Sequence, residues 1–95
     1  MHFVYLLYNS ATDKFYIGMT ENIKRRLMEH KSGSNQSTKY HCQYWRLIYS
    51  EIYANKDDAI AREKKLKYHG SGWVELKKRL AHTIKLNNKT GAGER

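Results

Sequence analysis

Two short runs of aromatic and branched residues lie close together near the start of the chain. Residues 3–8 are too few for a free-standing helix and are followed by Asn9-Ser10-Ala11-Thr12-Asp13, which favour a turn. In residues 14–18, apolar and polar positions alternate with the period of two that is typical of a β-strand. The two runs predict an antiparallel hairpin, whose pleat allows Tyr5 and Tyr16 to face the same side.

A short helix is predicted directly after the hairpin. Strong helix formers follow capping side chains over residues 23–31, and Ser32-Gly33-Ser34 ends the pattern. Arg26 and His30 are one helical turn apart and lie beside the apolar stripe of this helix. Arg25, by contrast, points toward solvent.

A polar segment and a third strand follow. Residues 32–43 are rich in Ser, Asn and Gln, so we expect a mobile loop that carries Lys39 and His41 outward. Residues 45–53 have the aromatic and branched composition of a strand. Their parity places Trp45, Leu47, Tyr49 and Tyr53 on one face of that strand and Ile48 and Ile52 on the other.

Two further helices are predicted in the C-terminal half. The first covers about 57–69 and begins with two aspartates, whose charge suits a helix N-terminus, and the second covers about 73–81. Apolar periodicity is lost beyond that point. We therefore expect one domain over residues 1–82 and a flexible tail over 83–95.

A carboxylate interrupts the apolar face of the helix predicted at 57–69. Ala59 and Leu66 lie about 40° and 60° from Glu63 on the helical wheel, so the charge falls in the middle of that face. A charge in that position is costly without a partner. Two partners remain open, a divalent metal ion or Lys67 one helical turn later.

Basic residues dominate the charge of this small chain. Its 95 residues include 18 Lys and Arg against 9 Asp and Glu, a formal charge of +9, and the pI is near 9.7. The excess implies a polyanionic partner, with nucleic acid as the leading candidate. The cations expected to meet it are Lys24, Arg25, Lys31, Lys39, Lys64 and Lys67.

Several classes of protein do not fit the sequence. No apolar run approaches the roughly 18 residues of a membrane-spanning helix, and the start lacks a signal-peptide pattern, so we expect a soluble cytoplasmic protein without a membrane partner. Cys42 is the single cysteine and cannot form an internal disulfide. The five histidines lack the paired Cys/His spacing of a zinc site, so structural zinc is not expected.

The residues singled out above suit the hydrolysis of a phosphodiester. That reaction needs a Lewis acid near the phosphate, a base for the attacking water and a cation for the charge that develops. Glu63, the tyrosines with His30, and Arg26 are residues of these types. Each also has a plainer explanation. Glu63 can form an ion pair, and Tyr5 and Tyr16 can pack within the sheet. Arg26 and His30 can lie on the solvent-exposed flank of the first helix.

In this order and spacing, Tyr5, Tyr16-Ile17-Gly18, Arg26, His30 and Glu63 resemble the GIY-YIG nuclease family, with Val4-Tyr5-Leu6 in place of the first triplet. The resemblance covers residues 3 to about 80 and is strongest to small, free-standing bacterial members. The segment Arg62-Glu63-Lys64-Lys65-Leu66-Lys67 looks like their helix. The resemblance implies an α+β fold, a three-stranded antiparallel sheet flanked by helices.

The resemblance also implies an activity, the divalent-metal-dependent hydrolysis of phosphodiester bonds in DNA. By position, Glu63 would hold Mg²⁺ or Mn²⁺ and Arg26 would stabilise the charge of the transition state. Tyr5, Tyr16 and His30 would position or deprotonate the attacking water. A single protein carboxylate suits Mg²⁺, which keeps several waters and takes phosphate oxygens as ligands.

We expect an endonuclease selective for structure or strand rather than for sequence, because no recognition domain accompanies the motif. The alternative is a basic domain of the same fold that binds DNA or RNA with little or no turnover. One feature departs from the family pattern: many members carry an asparagine on the helix after the metal-binding glutamate. This chain offers Glu75, Lys77 and Lys78 in that region.

Overall fold

A computed structural model describes the backbone of residues 1–92 and the side chains as far as Asn87. Within these residues the strands are β1 (His2–Asn9), β2 (Lys14–Thr20) and β3 (Trp45–Tyr53), and the helices are α1 (Ile23–Ser32), α2 (Lys56–Lys67), α3 (Ser71–Arg79) and α4 (Ala81–Ala92). The strands form one antiparallel sheet in the order β2-β1-β3. The predicted three-stranded sheet flanked by helices is confirmed. No helix in the part of the chain described is long and apolar enough to cross a membrane.

β1 is the central strand and is buried on both faces. Alternate residues of a strand point to opposite faces, so Val4 and Leu6 pack on one side and Tyr5 and Leu7 on the other. The first side is covered by α2 and α3 through Ala59, Leu66, Trp73 and Leu76. The second side is covered by α1 through Ile23 and Leu27 and by Trp45 at the start of β3. The sheet therefore separates an α1 side from an α2 side.

β3 contains a β-bulge that overturns one prediction. Its pairing with β1 shifts between Leu6 and Leu7, which leaves Ile48 as an extra residue. One extra residue reverses the faces that side chains occupy beyond it. Trp45 therefore packs on the α1 side and Tyr49 on the α2 side. The prediction that Trp45, Leu47, Tyr49 and Tyr53 share one face is wrong.

The loop between α1 and β3 is more structured than its composition indicates. Gly33 ends α1 with a φ of 83°, and short 3₁₀ turns follow at Gln36–Thr38 and Cys42–Tyr44. Lys39 and His41 are exposed as predicted, but Thr38 between them and α1 is buried. The Thr38 hydroxyl is hydrogen-bonded to His30 of α1, and this bond attaches the loop to the helix.

The C-terminal segment differs from the expected tail. Residues 83–92 are helical as part of α4, whose first turn is closed by a 2.9 Å bond from the Ile84 amide to the Leu80 carbonyl. Backbone bonds of this kind need no apolar stripe, which explains why sequence periodicity missed them. Residues 93–95 lie outside the described part of the chain, and the domain boundary at residue 82 stays a prediction.

A polar cluster joins α2 to β3. The Arg62 guanidinium donates to both carboxylate oxygens of Glu51, with its Nε and Nη2 each 2.9 Å from one of them. The hydroxyls of Tyr49 and Tyr53 each donate to the same carboxylate at 2.6 Å. Burial alone would raise the pKa of Glu51, but the hydrogen bonds from Arg62 and the two tyrosines outweigh it and hold that pKa below its usual value. We call these four residues the Glu51 cluster.

We predict that Glu51→Gln lowers the free energy of unfolding at pH 7 by about 1–3 kcal/mol, because Arg62 loses its charged acceptor. Glu51 has a lowered folded-state pKa, so its contribution is present above the unfolded value of 4.5 and is lost as pH falls through the folded value. Denaturant titration from pH 7 to pH 3 should show the difference from the parent shrinking only below about pH 4.5. Glu75→Gln, at an exposed carboxylate, is the control. A difference independent of pH would contradict the assignment.

Candidate active site

The hydroxyl of Tyr5 lies between a cation and an imidazole. Tyr5 is 2% exposed and His30 is 0% exposed, and the Tyr5 oxygen is 2.8 Å from His30 Nε2. Arg26 donates to the same oxygen through its Nε at 3.4 Å. His30 Nδ1 is in turn 2.7 Å from the Thr38 hydroxyl. We call Arg26, Tyr5, His30 and Thr38 the Tyr5 network.

The Tyr5 network has two arrangements of protons. A guanidinium only donates, so the Tyr5 oxygen accepts from Arg26 in both. With the proton on Nδ1, His30 accepts from the Tyr5 hydroxyl and donates to Thr38; with the proton on Nε2, both bonds run the other way. In either tautomer a neutral histidine links the tyrosine to the loop.

The hairpin register explains the Tyr16-Ile17-Gly18 triplet. Gly18 pairs with Tyr5, and a Cβ at position 18 would overlap the Tyr5 ring and hydroxyl. Ile17 faces the α2 side, and Tyr16 returns to the α1 side. The ring centroid of Tyr16 lies 6.2 Å from that of Tyr5 and 4.7 Å from that of His30. The triplet thus supplies a second tyrosine, a core anchor and room for the first tyrosine.

Helix α1 separates its two arginines as predicted. The side chain of Arg25 is 69% exposed and that of Arg26 is 35% exposed. Asn22 caps this helix by accepting from the Arg25 amide, which fixes its rotation. Glu29, an intermediate-exposure residue of the same helix, contacts Arg26 at 3.1 Å and Arg25 at 3.7 Å. The carboxylate accepts from Nη1 of Arg26, whereas Tyr5 accepts from its Nε.

Sequence reasoning does not identify two residues of this site. The Thr38 hydroxyl is hydrogen-bonded to His30, and Trp45 donates through its indole N–H to the Thr38 carbonyl at 2.9 Å. The Trp45 ring also lies edge-on to Tyr16, with centroids 6.4 Å apart. A threonine in a polar loop carries no local signal of this role. The aromatic residue at the end of the loop predicts only a position in the sheet.

Burial sets the protonation of the Tyr5 network at neutral pH. Desolvation raises the pKa of Tyr5 to about 12, although the hydrogen bond from Arg26 opposes the rise. The charges of Tyr16 and Glu63 raise it further. Burial, followed by the positive charge of Arg26, lowers the pKa of His30. At pH 7 the tyrosine is therefore protonated and the histidine is neutral.

Glu63 lies near these residues but outside their hydrogen bonds. It belongs to α2, on the other side of the sheet, and its side chain is 20% exposed with Lys67 Nζ 3.2 Å from Oε2. Its charge reaches the Tyr5 hydroxyl, whose pKa it raises. Among the residues described, no group of three or more His, Cys, Asp and Glu side chains is arranged to hold a metal. A lone carboxylate fits a hard cation that draws its other ligands from water and phosphate.

The basic residues expected to meet nucleic acid are all on the surface. Lys24, Arg25, Lys31, Lys39, Lys64 and Lys67 are exposed. Lys77, in the region where the family pattern has an asparagine, instead lies over the rings of Phe15 and Trp73 at 5.2 and 5.7 Å. Its ammonium is therefore engaged with the α2 side of the sheet, where it packs on aromatic rings.

Known proteins resemble this chain in sequence and in fold. The family model described as the GIY-YIG catalytic domain matches residues 1–72. A UPF0213 protein of Limosilactobacillus reuteri is 35% identical over 69 residues, which is 70% of this chain and 71% of that protein. One from Natronomonas pharaonis is 32% identical over 66 residues, or 70% and 76% of the two chains. The solution NMR structure of a UPF0213 protein from Bacillus halodurans is 25% identical, covers 83% of each chain and superposes with a TM-score of 0.51.

We predict that Thr38→Val lowers the free energy of unfolding by about 1–3 kcal/mol, because it leaves the buried Nδ1 of His30 without its hydrogen-bond partner. Valine has nearly the shape of threonine, so the loss reports the hydrogen bond rather than a cavity. Ser37→Ala removes the neighbouring exposed hydroxyl and should change stability by less than about 0.5 kcal/mol. Chemical denaturation of the three proteins measures both effects, and equal stability of Thr38→Val and the parent would contradict the bond.

Proposed function

The chain belongs to the GIY-YIG nuclease family, whose catalytic-domain model covers residues 1–72, and from this membership we propose that it is a divalent-metal-dependent endonuclease that hydrolyses phosphodiester bonds in DNA. The observation that carries the proposal is the Tyr5 network, in which one buried hydroxyl is held between Arg26 and a neutral histidine. Packing does not require such an arrangement. With DNA as substrate, we expect the protein to act in the cytoplasm.

The Tyr5 network supplies a route for a proton. Tyr5 is a poor base while its pKa is near 12, but in the tautomer of His30 that carries its proton on Nδ1, the Tyr5 proton can pass 2.8 Å to Nε2. Arg26 stabilises the negative charge that remains on the tyrosine oxygen. The tyrosine can then accept a proton from the attacking water. We propose that Tyr16, whose ring lies 6.2 Å from that of Tyr5 and 4.7 Å from that of His30, holds that water.

Glu63 is the residue that would hold the metal in this proposal. Mg²⁺ or Mn²⁺ bound there would polarise the scissile phosphate and make the charge near Tyr5 positive instead of negative. Lys67 contacts Oε2 of the carboxylate. The ion pair and the metal therefore compete for one group, and an ion pair one helical turn apart contributes only about 0.3–0.5 kcal/mol.

Arg26 is the cation for the transition state. Its side chain is partly exposed, so one edge of the guanidinium is accessible while Tyr5 and Glu29 contact the rest. A planar guanidinium can donate two bonds to phosphate oxygens as charge builds on them. Glu29 and Tyr5 fix its position before substrate arrives, which is the preorganisation that makes such donors effective.

The exposed cations would bind the DNA backbone around this site. Lys24, Arg25, Lys31, Lys39, Lys64 and Lys67 are the residues we expect to contact phosphates. Phosphate contacts position a protein but carry no sequence information. Such contacts give no selectivity for sequence, and we propose that the protein selects its substrate by structure or strand.

The test is incubation with single-stranded, duplex, flap and junction DNA in Mg²⁺, in Mn²⁺ and in EDTA. We expect internal cleavage of at least one substrate in the presence of metal and none in EDTA. Salt-dependent binding of DNA and RNA without cleavage of any substrate would replace the proposal with its alternative, a binding domain of the same fold.

We predict that Glu63→Gln reduces the cleavage rate at saturating DNA by about 10²-fold or more, because metal assistance is worth several kcal/mol. Lys67→Met breaks the same ion pair while leaving the carboxylate, so it is the matched control. It should cut at close to the parent rate under saturation, with weaker DNA binding. If both variants cut like the parent, Glu63 serves only the ion pair and its metal role is wrong.

We predict that Arg26→Ala lowers the single-turnover rate by roughly 10²-fold or more and changes DNA affinity little, because it deletes a preorganised transition-state donor. Arg25→Ala should do the reverse, weakening affinity and flattening the salt dependence by about one phosphate contact. Arg26→Lys should restore only part of the rate, since an ammonium cannot make the two-pronged contact. Equal rate losses in the two alanine variants would show that the role assigned to Arg26 is wrong.

A further inference from the structure

Three rings stand together on the surface of the loop between α1 and β3. Tyr40 is 76% exposed and Tyr44 is 40% exposed, and His41 lies exposed between them. The ring centroids of Tyr40 and His41 are 4.1 Å apart, and those of His41 and Tyr44 are 6.3 Å apart. Single exposed apolar residues are ordinary on a protein surface, but adjoining ones mark contact sites. We call these three residues the aromatic platform.

The backbone beneath the aromatic platform is held in an unfavourable conformation. His41 has a φ of 52°, in the left-handed region that a residue with a side chain rarely adopts. Its carbonyl accepts from the Asn9 side chain at 3.0 Å and from the Tyr44 amide at 3.1 Å. Asn9 is fully buried, so the loop is fastened to the end of β1. Strain maintained by buried contacts of this kind is found at sites of function.

The aromatic platform adjoins the candidate active site at both ends of the loop. Thr38, two residues before Tyr40, bonds to His30, and Trp45, directly after Tyr44, contacts Tyr16. Asn9 beneath it lies on β1 about 7 Å from the residue paired with Tyr16 and about 13 Å from Tyr5. A ligand on the platform would thus lie beside the candidate active site, at the end that holds Tyr16.

A pocket lies beside these rings and is open to solvent. It has a volume of about 390 Å³ and is lined by Ser10, Ala11, His41, Gln43 and Tyr44. That volume is within the range of sites that take a small planar molecule. The lining combines the rings of His41 and Tyr44 with the side-chain amide of Gln43, a group able to bond to the edge of a heterocycle. Lys39 adds a positive charge next to the platform.

We propose that the aromatic platform stacks an unpaired nucleobase of the substrate next to the candidate active site. That the base belongs to a DNA substrate rests on the proposed function, whereas the binding of an unpaired base does not. Bases within a duplex are stacked on each other and present no free face, so the platform selects a base that is out of a helix. The net charge of +9 attracts the phosphate backbone of a nucleic acid to the protein. Stacking on the platform then favours single strands over duplexes.

The test is fluorescence anisotropy of a labelled single-stranded oligonucleotide and of a matched blunt duplex. Measurements are made in EDTA, with a gel showing that the DNA stays intact. Base stacking on an aromatic ring is worth enough that Tyr40→Ala and Tyr44→Ala should each weaken single-strand binding by about 5-fold or more. Duplex binding should change by less than about 2-fold, because phosphate contacts are untouched.

Two further variants separate stacking from general surface damage. Tyr40→Phe keeps the ring and should bind single strands like the parent. Tyr68→Ala removes an 85% exposed tyrosine at the end of α2, away from the loop, and should also bind like the parent. Replacing one base at a time by an abasic residue should reproduce the loss at one or two positions and abolish the difference between Tyr40→Ala and the parent there.

Three results would overturn the proposal: unchanged single-strand binding in both alanine variants, an equal loss on the duplex, or an equal loss in Tyr68→Ala. None of these readouts depends on cleavage. A protein that stacks unpaired bases but cuts no DNA would keep the platform and remove the proposed nuclease. If the parent cuts single-stranded DNA and all variants cut and bind it like the parent, the proposed nuclease is kept and the platform is removed.

Discussion

The hydrogen bond between Tyr5 and His30 joins the central strand of the sheet to the first helix. It crosses 25 residues of sequence and lies where neither side chain is exposed to solvent. A buried polar pair is tolerated only when each member is satisfied, and here Arg26 and Thr38 complete the bonding. Helix α1 and the loop after it are therefore positioned by polar contacts as well as by apolar packing. The same contacts hold the Tyr5 hydroxyl between the imidazole of His30 and the guanidinium of Arg26.

The two sides of the sheet are organised differently. On the α2 side, Leu66 and Leu76 pack in the main core and the Glu51 cluster fastens the helix to β3. On the α1 side the core is small and aromatic, and polar groups enter it. Glu63 connects the two sides, since it belongs to α2 and its charge raises the pKa of Tyr5 on the α1 side. Rigid packing on one side thus sets the position of a charged group that influences the other.

Local periodicity was enough to predict the hairpin, the position of α1 and the different exposures of Arg25 and Arg26. These features depend on residues close together in sequence, so their spacing determines their geometry. The bulge at Ile48 was missed because an extra residue in one strand is visible only against its partner. Thr38 and the Glu51 cluster were missed because their partners are distant in the chain or in a loop without a periodic pattern. The roles of the site residues came from the family resemblance, and they stay predictions.

The β-bulge in β3 also bears on pairing between the sheets of two copies. β3 is an edge strand of the sheet, and an unbroken edge presents a row of unpaired backbone groups on which another strand can form. The extra residue interrupts that row near its middle and increases the local twist. The like net charges of two copies would also repel. The extra residue that invalidates the predicted strand faces is thus a feature that opposes edge-to-edge pairing.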